Sequence, residues 1–320
     1  MHLIDFLYEV ALSYRPSHRQ LQYFVAVAQK GHFLEAARAC NASQPTLSTQ
    51  LKLLEDQLGV VLIERGGATA VPTAAGARLL PLARTILSGL DEFVEMASVD
   101  ADNLGGLVRL GVAPTFGPYF LPHYLPQLHR LYPALEIYIR EDRPNTLESD
   151  LRDGKLDCIM TPMPLATEGF DAMPFCVEKI FLGVPNEHPI ADRRTIGTTD
   201  LAGEKLLTLG RGHRLFEQVL RLCDVSGAQM RSDYEGTSLD ALRQMVSIGM
   251  GLSLFPSAYV SSEFERETGI TLFELSDLPL DRQIGLAWRR NSVRSDHFRL
   301  LCEEARKAVS MMSVKGMTTA

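Results

Sequence analysis

Two short stretches gather polar and reactive side chains at the starts of helical patterns. The first, GRGHRLFEQVLRLC (Gly210 to Cys223), sets a histidine and an arginine at the start of a helical pattern and a cysteine near its end. His213 and Arg214 offer an imidazole, a guanidinium and the free backbone N–H groups of a helix start, a set suited to a carboxylate or another anion. Cys223 admits three readings: a reactive thiol, half of a redox pair, or a small apolar residue under a helix. The second stretch, SQPTLSTQ (Ser43 to Gln50), puts short hydroxyls and amides where Glu and Lys are more usual. Ser43 is placed as an N-cap, and Pro45 is tolerated in a first turn. Such a helix start can donate N–H groups to phosphate and reach base edges in the major groove.

The elements around these stretches follow from periodicity. LQYFVAVAQKG has apolar Leu21, Phe24, Val25 and Ala28 at helical spacing and stops at Gly31. FLEAARAC reads as a second short helix, NAS as a turn, and QPTLSTQLKLLEDQLG as a third helix with Leu47, Leu51, Leu54 and Leu58 as one buried stripe. VVLIERGGATAVPT is extended with a Gly-Gly tip. Helix, helix, turn, helix and a two-stranded ribbon describe a winged helix-turn-helix. From Ala74 to about Ala97 runs one helix, roughly 36 Å long, with an apolar seam at Leu79, Leu80, Ala83, Ile86, Leu87, Leu90, Phe93 and Val94. The seam suits either ordinary core or a dimer contact, and the polar segment SVDADNLGG that follows favours the dimer contact. After Gly106, short β-rich runs (LVRLGVAP, LEIYIRE, LDCIMTP, IFLGVP, KLLTLG, LSLFP, IGLAWR) alternate with helical patterns, which predicts α/β lobes with largely parallel strands.

Bulk properties limit the classes. The 320 residues suffice for two or three domains, and 46% apolar with 22% charged residues is an ordinary globular composition. A net charge of −7 argues against coating nucleic acid along the whole chain. Between Ser17 and Gly76, however, Arg19, Lys30, Arg38, Lys52 and Arg65 outnumber Glu35, Glu55, Asp56 and Glu64 by one. The five cysteines (Cys40, Cys158, Cys176, Cys223, Cys302) show no zinc spacing and suit a reducing compartment. The N-terminus lacks a basic leader and a cleavage site, and no run reaches the ~20 apolar residues of a membrane span. These features place the protein in the cytoplasm. With no G-x-G-x-x-G, Walker loop, G-x-S-x-G or metal-ligand cluster, the chain reads as a non-enzyme without cofactor or metal.

FVAVAQKGHFLEAARACNASQPTLSTQLKLLEDQLGVVLIER resembles the DNA-binding end of LysR-type transcriptional regulators. PTFGPYFLPHYLPQLHRLYPALEIYIRE, GKLDCIM, DLAGEKLLTLGRGH and TSLDALRQMVSIGMGLSLFP resemble the hydrogen-peroxide-sensing branch of that family. The likeness runs from about Leu21 into the 290s. It implies an α/β fold: an N-terminal extension (1–16), a winged helix-turn-helix (17–76), a linker and dimerisation helix (77–105), a periplasmic-binding-protein-like effector domain of two lobes (106–310) and a flexible tail (311–320). It implies a DNA-binding homodimer or homotetramer that answers a small effector and works with RNA polymerase. Ser43, Gln44, Pro45, Thr46, Ser48 and Gln50 then face promoter DNA, with Arg65 at the base of the wing. Thr115, Thr161, His213, Arg214, Thr237 and Ser238 face the inter-lobe cleft as effector ligands.

Two departures from the family pattern stand out. The wing tip, usually basic, reads GGAT (Gly66 to Thr69), so it gives up phosphate contacts. In the peroxide-sensing pattern the residue after Gly-His is the reactive cysteine, with its partner nine positions on. Here Cys223 stands at the partner position and Arg214 at the reactive one, while Pro144 replaces a peroxide-holding threonine; Thr115 and His213 match. A guanidinium cannot pass through sulfenic acid to a disulfide. The resemblance therefore implies the frame of a peroxide sensor without its chemistry. Arg214 is left with two roles: an anionic effector's partner, or an internal salt bridge with Asp142 or Glu141.

Overall fold

The computed structural model describes residues 14–64, 69–98, 104–265, 269–290 and 292–320. Contacts divide the chain into one unit of residues 1–98 with 152–155 and a second unit made of the rest.

In the first unit, α1 (His18–Lys30), α2 (Phe33–Ala39) and α3 (Gln44–Leu58) precede a ribbon of β1 (Ile63–Glu64) and β2 (Val71–Pro72), paired antiparallel. Ser17 starts α1 with a full capping box, its hydroxyl accepting from Gln20 N while the Gln20 side chain accepts from Ser17 N. Gly31 ends the helix at φ 68°, a conformation glycine adopts without a Cβ penalty. Leu47, Leu51 and Leu54 are fully buried under α1 and α2, each stabilising the unit by about 1.5–3 kcal/mol. Leu58 breaks the expected stripe. It is 38% exposed, because it sits in the last turn before Gly59, beyond the reach of the packed leucines. Glu55 takes the inward place instead, accepting from Leu62 N (2.8 Å) and Ile63 N (3.1 Å) and so fixing where the wing begins. Arg65, the wing-tip residues Gly66, Gly67 and Ala68, and residues 1–13 of the expected extension lie outside the described residues.

The long helix α4 (Ala74–Ser98) has the expected length, but its apolar seam divides. Ala83 is buried, and Leu79, Leu80 and Leu87 pack into the unit's own core. Leu82, Ile86, Leu90, Phe93 and Val94 stand exposed at helical spacing.

The second unit holds an eight-stranded sheet in the order β10-β6-β11-β5-β3-β4, with β9 and β12 also on β6. Its strands are β3 (Gly106–Val112), β4 (Leu135–Glu141), β5 (Cys158–Pro162), β6 (Phe170–Pro185), β9 (Ser253–Pro256), β10 (Ile270–Phe273), β11 (Asp281–Arg289) and β12 (Met317–Thr319), and β7 (Lys205–Leu206) pairs β8 (Gln229–Met230) apart from it. The expectation of largely parallel strands is corrected: β3 is parallel to β4 and β5, whereas β6 and β11 make antiparallel pairs with all their neighbours. The run IFLGVP is only the second half of β6, whose sixteen residues serve two hydrophobic cores. One core gathers around Phe116, Phe120, Tyr124, Phe175, Trp288 and Phe298. The other gathers around Leu182, Leu206, Val219, Leu242, Leu254 and Tyr259. These are the two lobes. The helices between strands are α5 (Gly117–Leu131), α6 (Pro144–Arg152), α7 (Arg214–Ser226), α8 (Leu239–Ser247), α9 (Ser257–Glu263) and α10 (Ser295–Met311). Within the tail, Met317–Thr319 pairs with Glu178–Cys176 of β6, and Met317 is buried.

The exposed stripe of α4 predicts self-association. Ile86→Glu and Phe93→Glu should lower the assembly state in sedimentation velocity with little loss of melting temperature. Leu87→Glu should lower the melting temperature instead, because it places a charge in the unit's own core.

Candidate functional site

The candidate DNA-reading surface is the start of α3. Ser43 has extended backbone (φ −78°, ψ 149°), and its hydroxyl accepts from Thr46 N at 3.2 Å and lies 2.8 Å from Thr46 Oγ1. The cap consumes the Thr46 N–H, and Pro45 has none, so Gln44 N–H is the donor left facing outward in the first turn. Ser43, Gln44, Pro45 and Thr46 are exposed and Ser48 is half-buried. The Gln44 side chain has no hydrogen-bond partner among the described residues. Gln50 is half-buried and accepts from Gln20 Nε2 at 3.4 Å, and Gln20 in turn accepts from Tyr14 OH at 2.8 Å. Gln50 therefore braces α3 on α1.

In the second unit, the six effector candidates fall at or beside the ends of β3, β5, α7 and α8. Thr115 follows β3, whose end is tied to β5 by Ala113 N donating to Met160 O at 2.9 Å. Thr161 lies in β5, fully buried, with a hydroxyl that has no partner among the described residues. Expected to face the cleft, it is sealed from solvent. Arg214, the first residue of α7, reaches the chain just past β5, where its Nη2 donates to Pro164 O at 2.7 Å. His213 is the N-cap of α7 and is 4% exposed. Thr237 and Ser238 stand exposed on a neighbouring loop, joined to the His213 turn by Gly210 N donating to Gly236 O at 3.0 Å. Ser238 is engaged in capping α8, accepting from Ala241 N.

The partner of Arg214 was not foreseen. Its Nη2 lies 3.4 Å from Oε1 of Glu148, a carboxylate 2% exposed on the inner face of α6. Glu148 also accepts from Ala166 N and, at 2.7 Å, from Thr167 Oγ1. Neither expected partner, Asp142 or Glu141, pairs with Arg214; Asp142 accepts from Arg143 N and Arg140 Nη2. The signal that could have revealed Glu148 is its neighbours: Leu147 and Leu151 are fully buried on the same short helix. Thr115 has an unforeseen partner too. Arg282 of β11 donates to its hydroxyl and its carbonyl, each at 2.8 Å, while pairing with buried Glu178.

The thiols are quiet. All five cysteines are free. Cys223 is half-buried, more exposed than expected, and lies against the second core; burial pushes its thiol up and away from thiolate. Arg214 and Cys223 occupy one continuous helix, so nine residues separate them by about 13 Å of rise. A disulfide tolerates no more than about 7 Å between Cα atoms. Among the described residues, no group of three or more His, Cys, Asp or Glu side chains is arranged to hold a metal ion, and no helix is long and apolar enough to cross a membrane.

A capped helix with an amide at its exposed start, followed by a wing, and a separate two-lobed α/β unit define a class. Comparison with known proteins agrees. Residues 18–77 match the bacterial regulatory helix-turn-helix protein, lysR family, and residues 101–310 match the LysR substrate binding domain. The chain belongs to the LysR family of DNA-binding transcriptional regulators and is not an enzyme. Within that family it is similar to OxyR. It is 40% identical over 288 residues to the Escherichia coli K12 DNA-binding transcriptional dual regulator OxyR, covering 90% of this chain and 94% of that one. A full-length OxyR variant from Pseudomonas aeruginosa shares its fold with a TM-score of 0.76 at 32% identity, over 91% of this chain and 98% of that one. A cysteine-to-serine mutant of Corynebacterium glutamicum OxyR with H2O2 bound gives 0.62 at 34% identity, over 93% of this chain and 96% of that one.

His213 sets a pH dependence. Burial first, then the positive charge of Arg143, lowers its pKa, against the opposing pull of Asp142 and Glu235. The native state therefore keeps the imidazole neutral, whereas the unfolded chain takes a proton near pH ~6.5. As pH falls below that value the unfolded state gains the proton first, and native stability declines until pH passes the lowered native pKa. His213→Gln should lose less melting temperature than the parent between roughly pH 7 and 5 in calorimetric scans. His297, also lowered by burial, remains in both proteins.

Proposed function

We propose that this chain binds promoter DNA as a homo-oligomer through residues 17–76, with Gln44 reading base edges, and that its output is set without a peroxide-formed disulfide. Ser43 and Thr46 position the helix start, and Ser48 and the flanking chain carry phosphate contacts. One observation carries the second half of this reading: Arg214 joins the start of α7 to Glu148 and Pro164 O. In the family pattern this is the position of the reactive cysteine. The guanidinium undergoes no thiol chemistry, so it acts as a permanent clamp where that pattern has a switch. Cys223 has lost its partner and serves as packing.

A second reading keeps a small anionic effector in the inter-lobe cleft. Its support is the Nε of Arg214, buried without a hydrogen-bond partner among the described residues. A carboxylate entering there competes with Glu148 for the guanidinium. Arg214→Ala then abolishes a ligand response while sparing basal DNA binding. The operator, the effector and RNA polymerase as a partner belong to this proposal.

The test is binding to a promoter fragment and to random DNA, with and without mild peroxide, alongside thiol counting by mass spectrometry. Gln44→Ala should weaken promoter binding by about 1–3 kcal/mol and leave random DNA nearly unchanged. Peroxide should leave promoter affinity unchanged and form no disulfide at Cys223. A Cys223 disulfide that appears at low peroxide and tracks promoter affinity contradicts the proposal, and so does an equal loss on random DNA for Gln44→Ala.

A further inference from the structure

Away from the cleft, the second unit has a groove of about 590 Å³ where β6 passes from one lobe to the other. Glu178 of β6 pairs with Met317 of β12, and Phe181, three residues on, pairs with Phe255 of β9. One wall of the groove is the segment of Ser313 and Lys315, whose neighbours Met312 and Val314 pack on the first core. The opposite wall holds Leu272 and Phe273, which pack on the second core. Ser257 closes the space between them, its hydroxyl donating to Gly316 O at 3.3 Å. The groove therefore touches both lobes.

Its chemistry is divided. Phe181, Leu272 and Phe273 give an apolar side, whereas Arg194 and Lys315 stand at the edge with the hydroxyls of Ser261 and Ser313. Neither Arg194 nor Lys315 has an ion-pair or hydrogen-bond partner among the described residues. Glu274, the acid on the lining, is paired with Lys179. Two uncommitted cations over an apolar wall fit an anion with an apolar body: the cations and hydroxyls take the carboxylate and the aromatic wall takes the rest. By contrast Arg214, in the cleft, already carries Glu148.

We propose that this groove binds a small monocarboxylate with an apolar body, and that the bound acid bridges the two lobes at the crossing of β6. The site is separate from Arg214 and does not rest on the reading of the cleft.

Isothermal titration of the full-length protein with benzoate, 4-phenylbutyrate and hexanoate tests it, with benzamide and inorganic phosphate as the comparison ligands. At least one of the three acids should bind saturably, more tightly than benzamide and phosphate. Arg194→Ala with Lys315→Ala, both at exposed positions, should weaken that acid by at least about tenfold. Four results overturn the proposal: no saturable binding by any of the three acids, equal affinity for benzamide, phosphate bound as tightly as the acids, or affinity unchanged in the double variant. Binding lost in Arg214→Ala but kept in the double variant puts the acid in the cleft and overturns it as well.

Discussion

Glu148 is a carboxylate almost entirely out of water, and the groups that satisfy it decide how the start of α7 is held. A buried charge of this kind is costly unless it is paired and hydrogen-bonded. Ala166 N and Thr167 Oγ1 supply hydrogen bonds, and Arg214 supplies the positive charge. The same guanidinium holds Pro164 O, so α6, the chain after β5 and the first residue of α7 share one fastening. Removing the arginine leaves Glu148 buried without a counter-charge, a more severe change than losing a surface pair. A neutral side chain at this position would give Glu148 no such charge.

A second buried pair does comparable work in the same unit. Arg282 is held by Glu178 and in turn donates to both the hydroxyl and the carbonyl of Thr115, while the other oxygen of Glu178 accepts from Ala258 N at the start of α9. Thr115 Oγ1 is thus committed as an acceptor, which leaves its own proton to be donated elsewhere. Both pairs join segments distant in the chain.

Much of this was legible in the sequence, for physical reasons that differ by element. The DNA-reading module is local: a cap at Ser43, leucines at helical spacing and a glycine stop at Gly59 all act within seventeen residues, and the cap, Leu47, Leu51, Leu54 and the stop appear where the sequence pattern places them. Leu58 was misread because spacing shows which face a residue lies on, not whether a neighbour extends far enough to cover it. The α4 seam was visible as apolar, but its division between an inner face at Leu87 and an outer one at Ile86 depends on packing. Glu148 and Arg214 are 66 positions apart, and nothing in either segment names the other. β12 escaped notice because three residues, MTT, carry no pattern; its evidence is the edge of β6 that it covers.

The central claim, that the Arg214–Glu148 fastening sets the output in place of a thiol switch, is tested most directly by a double-mutant cycle on promoter output. Arg214→Ala, Glu148→Ala and the combination are compared with the parent in the absence of added ligand or peroxide. The account predicts that each single substitution shifts output and that the double variant falls well short of their sum, because one removal has already broken the pair. Strictly additive shifts, or singles that leave output at the parent level, would contradict it.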